Sequence, residues 1–427
     1  MRKVIGFVLC LVLGVLLATQ VHAAAPMELA FWGGWTGPDG DVMRAMVHQY
    51  NARNPDVHVT LTTLQWTPLF DKFLTSMRAG EGPDLMAMHP QDTAQFIDGG
   101  LLEPLTAFGA NVQVKAGDFD KNAWGYSSYK DTQYAVPLDF HMHGLYYNVD
   151  LFKQAGLDPT HPPTTGDAFI EAARRLTIDA AGRHPGDAGF DAKNVKQYGV
   201  AFPNNHHAFY IWYALVHQQG AGFSIGGTQV NFDDAQGIAA WKWEEDLIFK
   251  HQVVPVGESN PAQDFLTGRT AILIDGPWQM PAMQKQQGLN WATAPFPTVF
   301  GRPAVWGSGH ILTVPKQRDR AKQVAALDLA QWIVRNSDFW ATSGNIPVFR
   351  LASETDRFRR LQGRAAFVSM LPYEVILPNI VKSAQVFSAA APSPIVQAAQ
   401  AATLRNEDPA TIVRTLRQRI DSVLAAP

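Results

Sequence analysis

Aromatic and hydrogen-bonding side chains follow several of the strands that this sequence predicts. Tryptophans and histidines make up most of this set. Flat aromatic rings can cover the apolar C–H face of a solute, and planar polar groups can donate to and accept from its hydroxyls at fixed angles. This combination is typical of a site for a neutral, hydroxyl-rich solute. The candidate residues are Trp35, Trp66, His89, Gln91, Asp139, His141, His207, Trp278 and Trp306.

The histidines allow a second kind of site, because three or four converging imidazoles could hold a metal ion. His141 and His143 are two residues apart and would lie on one face of a strand. The same spacing also occurs without metal, and solute binding already accounts for His141. We therefore predict no metal site and no cofactor. The other histidines of this hypothesis are His89, His206, His207 and His310.

Alternating strands and helices must position these residues. Residues 27–35 predict a strand and a glycine-containing loop, and the amphipathic helix that follows ends at Asn54. A strand over 57–61, a helix capped by Thr67 and a strand over 85–88 come next. Strands and helices that alternate in this way predict a mainly parallel sheet covered on both faces. The predicted fold class is α/β.

The rest of the chain continues this pattern. The alternation begins again near Tyr134 and includes a predicted strand over 271–274, and residues 311–335 predict a strand followed by a helix. Residues 301–309 are dense in glycine and proline, so we predict a connection there, with Trp306 inside it.

The N-terminus has the pattern of a secretory signal peptide over residues 1–23. Arg2 and Lys3 precede an unbroken apolar run, 4–18, that is too short to span a bilayer. Cys10, the only cysteine, lies inside this run, so we expect it to be removed with the signal peptide and not to carry a lipid. A soluble, periplasmic protein is predicted.

Composition excludes several classes of protein. With 46% hydrophobic and 17% charged residues, the chain can form a packed core and is not disordered. Its formal net charge of −3 and its lack of a long basic run argue against nucleic acid as a partner. A length of 427 residues predicts two or three domains.

Eight short motifs occur in a fixed order over nearly the whole chain after residue 23. They are Phe31-Trp32-Gly33-Gly34-Trp35; Tyr50-Asn51 with Asn54-Pro55; Gly82-Pro83-Asp84-Leu85; Gly100-Leu101-Leu102-Glu103-Pro104-Leu105; Tyr134-Ala135-Val136-Pro137; Leu145-Tyr146-Tyr147-Asn148 through Leu151-Phe152-Lys153-Gln154-Ala155-Gly156-Leu157; Gly268-Arg269-Thr270-Ala271 with Asp275-Gly276-Pro277-Trp278; and Gly344-Asn345-Ile346-Pro347. In this order they resemble the extracellular solute-binding proteins of ABC importers, in the branch of maltose- and glucose-binding proteins. One departure is Thr165-Gly166-Asp167-Ala168, where the family usually has Thr-Trp-Asp-Glu on a helix away from the ligand.

The resemblance implies a periplasmic-binding-protein fold of two α/β lobes that close around a ligand cleft by a hinge motion. Residues 24–139 and 309–358 would form the first lobe, and residues 140–308 and 359–427 the second. The segments 139–143 and 306–310 would cross between the lobes beside the cleft. A mono- or oligosaccharide ligand, a membrane-spanning permease as partner and a monomeric state follow from the same resemblance.

The resemblance also ranks the candidate residues. Trp278 matches a tryptophan that often stacks on the sugar in this family, and Asp139 and His141 match positions that hydrogen-bond to the ligand. His89 follows a strand where the family offers a polar or aromatic contact. Trp35 and Trp306 are explained equally well by packing in the core.

Two other functions are weighed against sugar binding. A phosphorylated polyol would need Arg or Lys at the crevice, and the candidate loops 33–35, 88–92 and 139–144 contain neither. A glycoside-cleaving enzyme needs two carboxylates that face each other across the scissile bond. Asp92 and Asp139 are the only acids that we expect in the cleft, and no nucleophile motif accompanies them. We therefore expect a binding protein without catalytic activity.

Overall fold

The computed structural model describes residues 25–220, 222–257, 260–390 and 392–426. The predicted signal peptide and Cys10 lie outside these residues. Within the described residues, no helix combines the length and the hydrophobicity that a membrane span requires.

The strands are short and are distributed along most of the chain. They are β1 Met27–Gly33, β2 Val57–Thr63, β3 Leu85–Met88, β4 Ser128–Tyr129, β5 Thr132–Gln133, β6 Ala135–Pro137, β7 Asp139–Met142, β8 Gly144–Asn148, β9 Ile178–Asp179, β10 Val195–Ala201, β11 Ser224–Gly226, β12 Gln229–Asn231, β13 Thr270–Asp275, β14 Trp291–Ala294, β15 Val305–Ser308, β16 Ile311–Thr313, β17 Ile346–Pro347 and β18 Glu374–Val375.

The α-helices alternate with the strands and then dominate the C-terminal part. They are α1 Gly40–Arg53, α2 Trp66–Ala79, α3 Thr93–Asp98, α4 Lys121–Tyr126, α5 Val149–Gln154, α6 Gly166–Leu176, α7 His206–Gln218, α8 Asp234–Glu245, α9 Pro261–Leu266, α10 Met280–Lys285, α11 Arg320–Arg335, α12 Ser337–Trp340, α13 Arg350–Ser353, α14 Asp356–Arg359, α15 Arg364–Met370, α16 Ser383–Val386, α17 Pro394–Arg405 and α18 Pro409–Ala425.

A five-stranded sheet in the order β2-β1-β3-β16-β6 forms the centre of what we call the first lobe. β1 pairs in parallel with β2 and β3, and only β16 runs antiparallel to its neighbours. Leu29 and Phe31 are buried in β1 and lie beside the buried Val59 and Leu85. The helices α1, α2 and α11 pack on this sheet. The predicted alternation and the mainly parallel sheet are confirmed here.

A second five-stranded sheet, in the order β14-β8-β13-β10-β9, forms the centre of the second lobe. β10 and β13 are parallel, whereas β8 runs antiparallel between β13 and β14. The helices α6 and α9 pack on β10 and β13, and α7, α8, α17 and α18 pack on one another. Almost every residue of α7 is buried, which makes this helix the centre of the helical part of the lobe. The predicted α/β class therefore holds in both lobes.

A third sheet, with four strands in the order β17-β7-β15-β18, contains the strands by which the chain crosses from one lobe to the other. β7 connects β6 of the first sheet to β8 of the second, and β15 leads back to β16 of the first. Ser308 pairs with His141 and Gly307 with Met142, so the two crossing strands are hydrogen-bonded side by side. The strands thus follow the predicted crossing segments, while the lobe boundaries at 139, 308 and 358 stay a prediction.

Two local predictions are wrong. The helix α2 begins at Trp66 with Gln65 as its N-cap residue, and the hydroxyl of Thr67 instead lies 3.3 Å from that of Ser388. A proline in the first helical turn is compatible with this start, because its missing N–H has no partner there in any case. Trp306 lies in β15 and not in a connection, because β15 pairs with both β7 and β18.

Candidate ligand-binding site

A cavity of about 500 Å³ lies between the two lobes and the crossing strands. Its walls come from the loop after β1, the start of α2, the turn after β3, the crossing strands, the start of α7 and the segment 383–390. This volume falls within the range of roughly 300 to 1,000 Å³ that is usual for small-molecule sites. The lining includes four tryptophans and several histidines, which the next paragraphs describe in turn.

Trp66 and Trp35 form the aromatic wall on the side of the first lobe. The half-buried Trp66 ring lies flat against Gly34, where an added Cβ would come within 1.9 Å of the ring. Trp66 also stacks on His310, with ring centroids 5.4 Å apart and an interplanar angle of 21°. Trp35 is only 2% exposed and packs edge-on against Trp66. The glycine therefore permits the close approach that orients Trp66 toward the cavity.

Trp278 and Trp306 form the facing aromatic wall. Trp278 lies in a 3-10 turn, Pro277–Gln279, and its half-buried ring covers Gly276 so closely that a Cβ there would lie 2.0 Å from it. Trp306 is 4% exposed and stacks on Tyr210 of α7 at 4.0 Å with an interplanar angle of 12°. Trp66 and Trp278 thus keep accessible surface, while Trp35, which packs on Trp66, and Trp306 are buried within the walls.

Three histidines meet at the wall of the first lobe. His89 follows β3, His141 lies in β7 and His310 lies between β15 and β16. One ring nitrogen of each lies within 4.8 Å of the other two, and the ring centroids are 4.5 to 5.6 Å apart. We call these residues the carboxylate-linked trio, because Nδ1 of each ring faces a carboxylate oxygen.

Asp139 provides two of these three carboxylate contacts. Its oxygens lie 3.3 Å from Nδ1 of His141 and 2.7 Å from Nδ1 of His310, and it also accepts hydrogen bonds from Nε1 of Trp340 and the backbone N–H of His310. Asp92 lies 3.3 Å from Nδ1 of His89. Asp139 is completely buried. Burial by itself would raise the pKa of Asp139, but attraction to His310 and hydrogen bonds from both histidines outweigh burial and hold that pKa below its usual range.

A second group of histidines, the carboxylate-free trio, consists of His143, His206 and His207. Nε2 of His143 lies 2.9 Å from Nδ1 of His207, so one neutral imidazole donates to the other. The rings of His206 and His207 are 4.2 Å apart. Nδ1 of His143 and Nδ1 of His206 are buried and have no hydrogen-bond partner among the described residues. Burial lowers the pKa of His143 to about 3 and that of His206 to about 4, so both are neutral near pH 7.

A C-terminal segment closes one side of the cavity. The helix α16 contacts the turn Pro90–Asp92 of the first lobe as well as α17 and α18 of the second. Ser383 donates to Asp92 at 3.1 Å, and the side chain of Asn379 bonds to Thr93 and to the backbone N–H of Ala94. These bonds link the C-terminal part of the chain to the wall that carries His89.

The electrostatic character of the cavity is set by imidazoles and a few acids. Among the described residues that line it, none is Lys or Arg. Lys72 follows the lining residue Asp71 in α2, but its Nζ lies 4.2 Å from the ring centroid of Trp32 and Lys72 does not line the cavity. Asp39 lines the cavity, and burial raises its pKa to about 6. The site therefore offers hydrogen bonds and aromatic surface to a solute, and its described lining residues offer no fixed positive charge to an anion.

The sequence comparisons agree with this geometry. The family model of the bacterial extracellular solute-binding proteins matches residues 34–338, which is well over half of the chain. The chain belongs to this family.

Two sequence relatives indicate the range of this solute-binding family. A maltotriose-binding protein of Pyrococcus abyssi is 25% identical over 283 residues, which are 66% of this chain and 56% of that protein. An sn-glycerol-3-phosphate-binding periplasmic protein of Escherichia coli is 28% identical over 165 residues, which are 38% of each chain. The aligned part thus spans little more than half of the first relative and less than half of the second.

A solved structure confirms the predicted two-lobed fold of this solute-binding protein. An ABC substrate-binding protein of Listeria monocytogenes, in complex with cycloalternan, superposes with a TM-score of 0.79. The superposition covers 94% of this chain and 100% of the other at 18% sequence identity. At this identity the likeness concerns the fold alone.

The structure brings together eight of the nine candidate residues of this solute-binding protein. The residues that line the cavity are Trp35, Trp66, His89, Gln91, His141, His207, Trp278 and Trp306. Asp139 does not line the cavity, because His141 and His310 lie between its carboxylate and the open space and use its hydrogen-bonding capacity. A direct contact of these side chains with the solute stays a prediction.

Other lining residues were missed in the sequence. Asp39 lies four residues after Trp35 in a glycine- and proline-containing loop, and this composition was a usable signal. His206 begins α7 next to His207, and Tyr210 lies four and three residues after them on the same face, so the helical period could have added both. The segment 383–390 carries no such local pattern. The lining residues outside the predicted set include Asp39, Gln65, Asn205, His206, Tyr210, Gln279, His310, Ser383 and Phe387.

Proposed function

We propose that this solute-binding protein captures a neutral mono- or small oligosaccharide in the cleft and delivers it to the membrane permease of an ABC importer. One observation carries the proposal. The cavity has accessible tryptophan rings on two facing walls and imidazole, amide and hydroxyl groups between them, with no Lys or Arg among its described lining residues. A sugar ring presents an apolar face and hydroxyl edges, which match these two kinds of surface.

The aromatic contacts can be assigned from exposure. Trp66 and Trp278 are half-buried and are proposed to stack on the two faces of the sugar. Trp35 and Trp306 are buried and would act through packing, since Trp306 already stacks on Tyr210. The polar contacts would come from His141, His207 and Gln91, whose planar groups can bond to neighbouring hydroxyls.

The names of similar proteins support a sugar ligand over an anion. A maltotriose-binding protein is among the relatives, and the superposed Listeria protein holds cycloalternan. A relative that binds sn-glycerol-3-phosphate keeps the phosphorylated polyol as the second candidate. That candidate is disfavoured because the cavity offers no Lys or Arg, the side chains best suited to a phosphate, among its described lining residues.

The location and partners follow from the same proposal. The protein would be exported by its signal peptide, residues 1–23, and would act in the periplasm as a soluble monomer. Its partners would be the solute and the permease, and nucleic acid would not bind. We propose no catalytic role, so incubation with oligosaccharides should release no reducing ends.

Intrinsic fluorescence tests the proposal, since the cavity contains tryptophans whose emission depends on their surroundings. Neutral sugars and glycerol phosphates are added to the protein, to Trp278→Ala and to Trp332→Phe, in which the exchanged tryptophan packs on Tyr50 outside the cavity. We expect at least one neutral sugar to shift the emission of the wild type and of Trp332→Phe but not of Trp278→Ala. A response to glycerol phosphates alone would contradict the sugar assignment.

A further inference from the structure

We propose that the carboxylate-linked trio is a binding site for one divalent transition-metal ion, with Zn²⁺ as the best-matched cation. The ligands would be one imidazole nitrogen each from His89, His141 and His310. The remaining coordination positions would face the cleft. This metal site is distinct from the proposed sugar site, because the ion would bind whether or not a solute is present.

The three rings are close enough to share an ion. One ring nitrogen from each lies within 4.8 Å of the other two. Zn–N bonds of about 2.0–2.1 Å place the nitrogens of a tetrahedral site about 3.4 Å apart, so each ring needs to move inward by less than about 1 Å. Imidazole is a preferred ligand of Zn²⁺ and of its neighbours in the first transition row.

The carboxylates occupy Nδ1 and leave Nε2 of each ring free. Nδ1 of His141 and of His310 face the two oxygens of Asp139, and Nδ1 of His89 faces Asp92. A carboxylate at Nδ1 keeps the proton there, so the lone pair of a neutral ring lies on Nε2. None of the three Nε2 atoms has a hydrogen-bond partner among the described residues. Metal-binding histidines in proteins have this same outer contact, which orients the ring and increases its basicity.

The carboxylates that orient the trio are themselves held by hydrogen bonds from the surrounding protein. Asp139 is held by Nε1 of Trp340 at 2.6 Å and by the backbone N–H of His310 at 3.0 Å, and Asp92 is held by Ser383 at 3.1 Å. Both carboxylates therefore have little freedom to rotate away from the imidazoles. A rigid support of this kind reduces the ordering cost of binding an ion.

Local charge also favours a cation. Asp139 and Asp92 contact the trio directly, and Asp39 lies near enough to interact electrostatically with His310 and Asp139. No Lys or Arg is present among the described lining residues to oppose these acids. The buried carboxylate of Asp139 would gain a charged counterpart when a dication binds to the imidazoles.

The open side of the site faces the cavity, since all three histidines contribute to its wall. Three histidine ligands leave at least one coordination position of Zn²⁺ unfilled by protein. Water or an oxygen atom of the solute would occupy it. This last point rests on the proposed function, whereas the metal site does not.

Metal titration tests the proposal directly. The protein is produced without a histidine tag, treated with a chelator and exchanged into chelator-free buffer, and Zn²⁺ is added in a calorimeter. Co²⁺ is added in a parallel experiment, because its visible absorption reports the number and type of its ligands. We expect one ion per chain, absorption typical of nitrogen ligands and a higher melting temperature with Zn²⁺.

Variants of the trio test whether the ion binds there. His89→Gln exchanges a half-buried ring at the end of β3, and His310→Asn serves as a second exchange should one variant fold poorly. Each is expected to lose at least about tenfold in Zn²⁺ affinity, because loss of an outer contact alone costs about that much and each variant removes a ligand itself. The matched control is His161→Gln, because His161 also faces an aspartate, Asp158 at 2.7 Å, but is exposed and outside the cavity. This control should bind Zn²⁺ like the wild type.

Two results would overturn the metal site. Absence of Zn²⁺ and Co²⁺ binding by the folded wild type at millimolar metal is the first, and equal affinity of the wild type and both trio variants is the second. A sugar titration of the chelator-treated protein tests the proposed sugar binding independently of the metal site. Sugar binding without metal binding would refute the metal site alone, and metal binding without any sugar response would refute the sugar assignment alone.

Discussion

The two histidine trios lie at the same cleft, and every member except His143 lines its cavity, yet they are supported differently. In the carboxylate-linked trio, the Nδ1 atoms face Asp139 or Asp92. In the carboxylate-free trio, His143 and His207 bond to each other, and His206 has an unpartnered Nδ1 among the described residues. The first trio is thereby oriented by charge, and the second is oriented by packing on Trp306, Tyr210 and Trp278.

This difference shows that the chemistry of a histidine depends on the hydrogen-bond partners of its ring as well as on its residue type. An imidazole with a carboxylate on one nitrogen has a fixed donor and a fixed acceptor. A buried imidazole without such a partner is held neutral by desolvation and can bond in either sense. We therefore assign cation binding to the first trio, whose His141 would contact the solute directly only in the metal-free protein. Hydrogen bonding with the solute is assigned to His206 and His207, the members of the second trio that line the cavity.

Loss of the shared carboxylate should have the largest effect. Asp139→Asn replaces an acceptor of four buried N–H groups, among them Nε1 of Trp340 and the backbone N–H of His310, by an amide that must also donate. Removal of one buried charged partner costs about 3–5 kcal/mol. Urea unfolding with chelator present should show this loss in the free energy of unfolding. Asp158→Asn at the exposed pair with His161 is the control and should cost far less, and equal losses would remove the distinction between a buried and an exposed pair.

Acid should act on the buried histidines of the cleft, whose pKa values burial lowers, and His206 isolates the part that comes from the carboxylate-free trio. Burial lowers the pKa of His206 from 6.5 to about 4, and no carboxylate contacts the ring among the described residues. As pH falls below about 6.5, the unfolded chain takes up a proton that the folded protein refuses, so stability decreases by about 1–3 kcal/mol toward pH 4. His206→Gln should have a shallower decrease in thermal or urea unfolding measured with chelator present. The same slope in both proteins would show that the trio does not carry this dependence.

His207→Ala should separate solute binding from metal binding. Loss of one hydrogen bond to the solute costs about 1.4 kcal/mol, which is tenfold in affinity. Zn²⁺ affinity should stay unchanged, because His207 belongs to the trio that lacks carboxylates. Calorimetry with each ligand measures both quantities, and His48→Ala on the exposed face of α1 is the matched control. A parallel loss of sugar affinity and Zn²⁺ affinity would show that the two trios act as one site.

The smallest effect is expected for Ser383, which bonds to the carboxylate that faces His89. Ser383→Ala removes the hydrogen bond to Asp92 and should cost about 1 kcal/mol in the free energy of unfolding. Ser369→Ala, at an exposed helical serine that bonds to its own backbone at Ala366, is the control and should cost less. An unchanged stability of Ser383→Ala would mean that the C-terminal segment does not support this trio.

The sequence predicted much of the site because strand ends are visible in it. His89 follows the apolar strand β3, and His141 follows β6 in the crossing strand, so both were expected at the crevice. The motif around Trp278 gave a third position. These predictions depend on local pattern and on the family resemblance, which is why they placed residues in the correct loops and strands.

Long-range pairing explains what the sequence did not reveal. Asp139 and His141 lie on the same face of β7, and period alone does not tell which of them reaches the open space. Two of the side chains that bond to Asp139, those of His310 and Trp340, are 171 and 201 residues away in the sequence. Trp306 was assigned to a connection because its strand forms only through pairing with β7 and β18. Local composition contains no information on such contacts.

Sugar capture in the cleft is tested most directly by isothermal titration calorimetry of the chelator-treated protein against neutral mono- and oligosaccharides and glycerol phosphates. We predict that at least one neutral sugar binds with one site per chain, that glycerol phosphates do not bind, and that Trp278→Ala loses the heat of binding. Binding of the phosphates without any neutral sugar, or sugar binding that is unchanged in Trp278→Ala, would contradict the account.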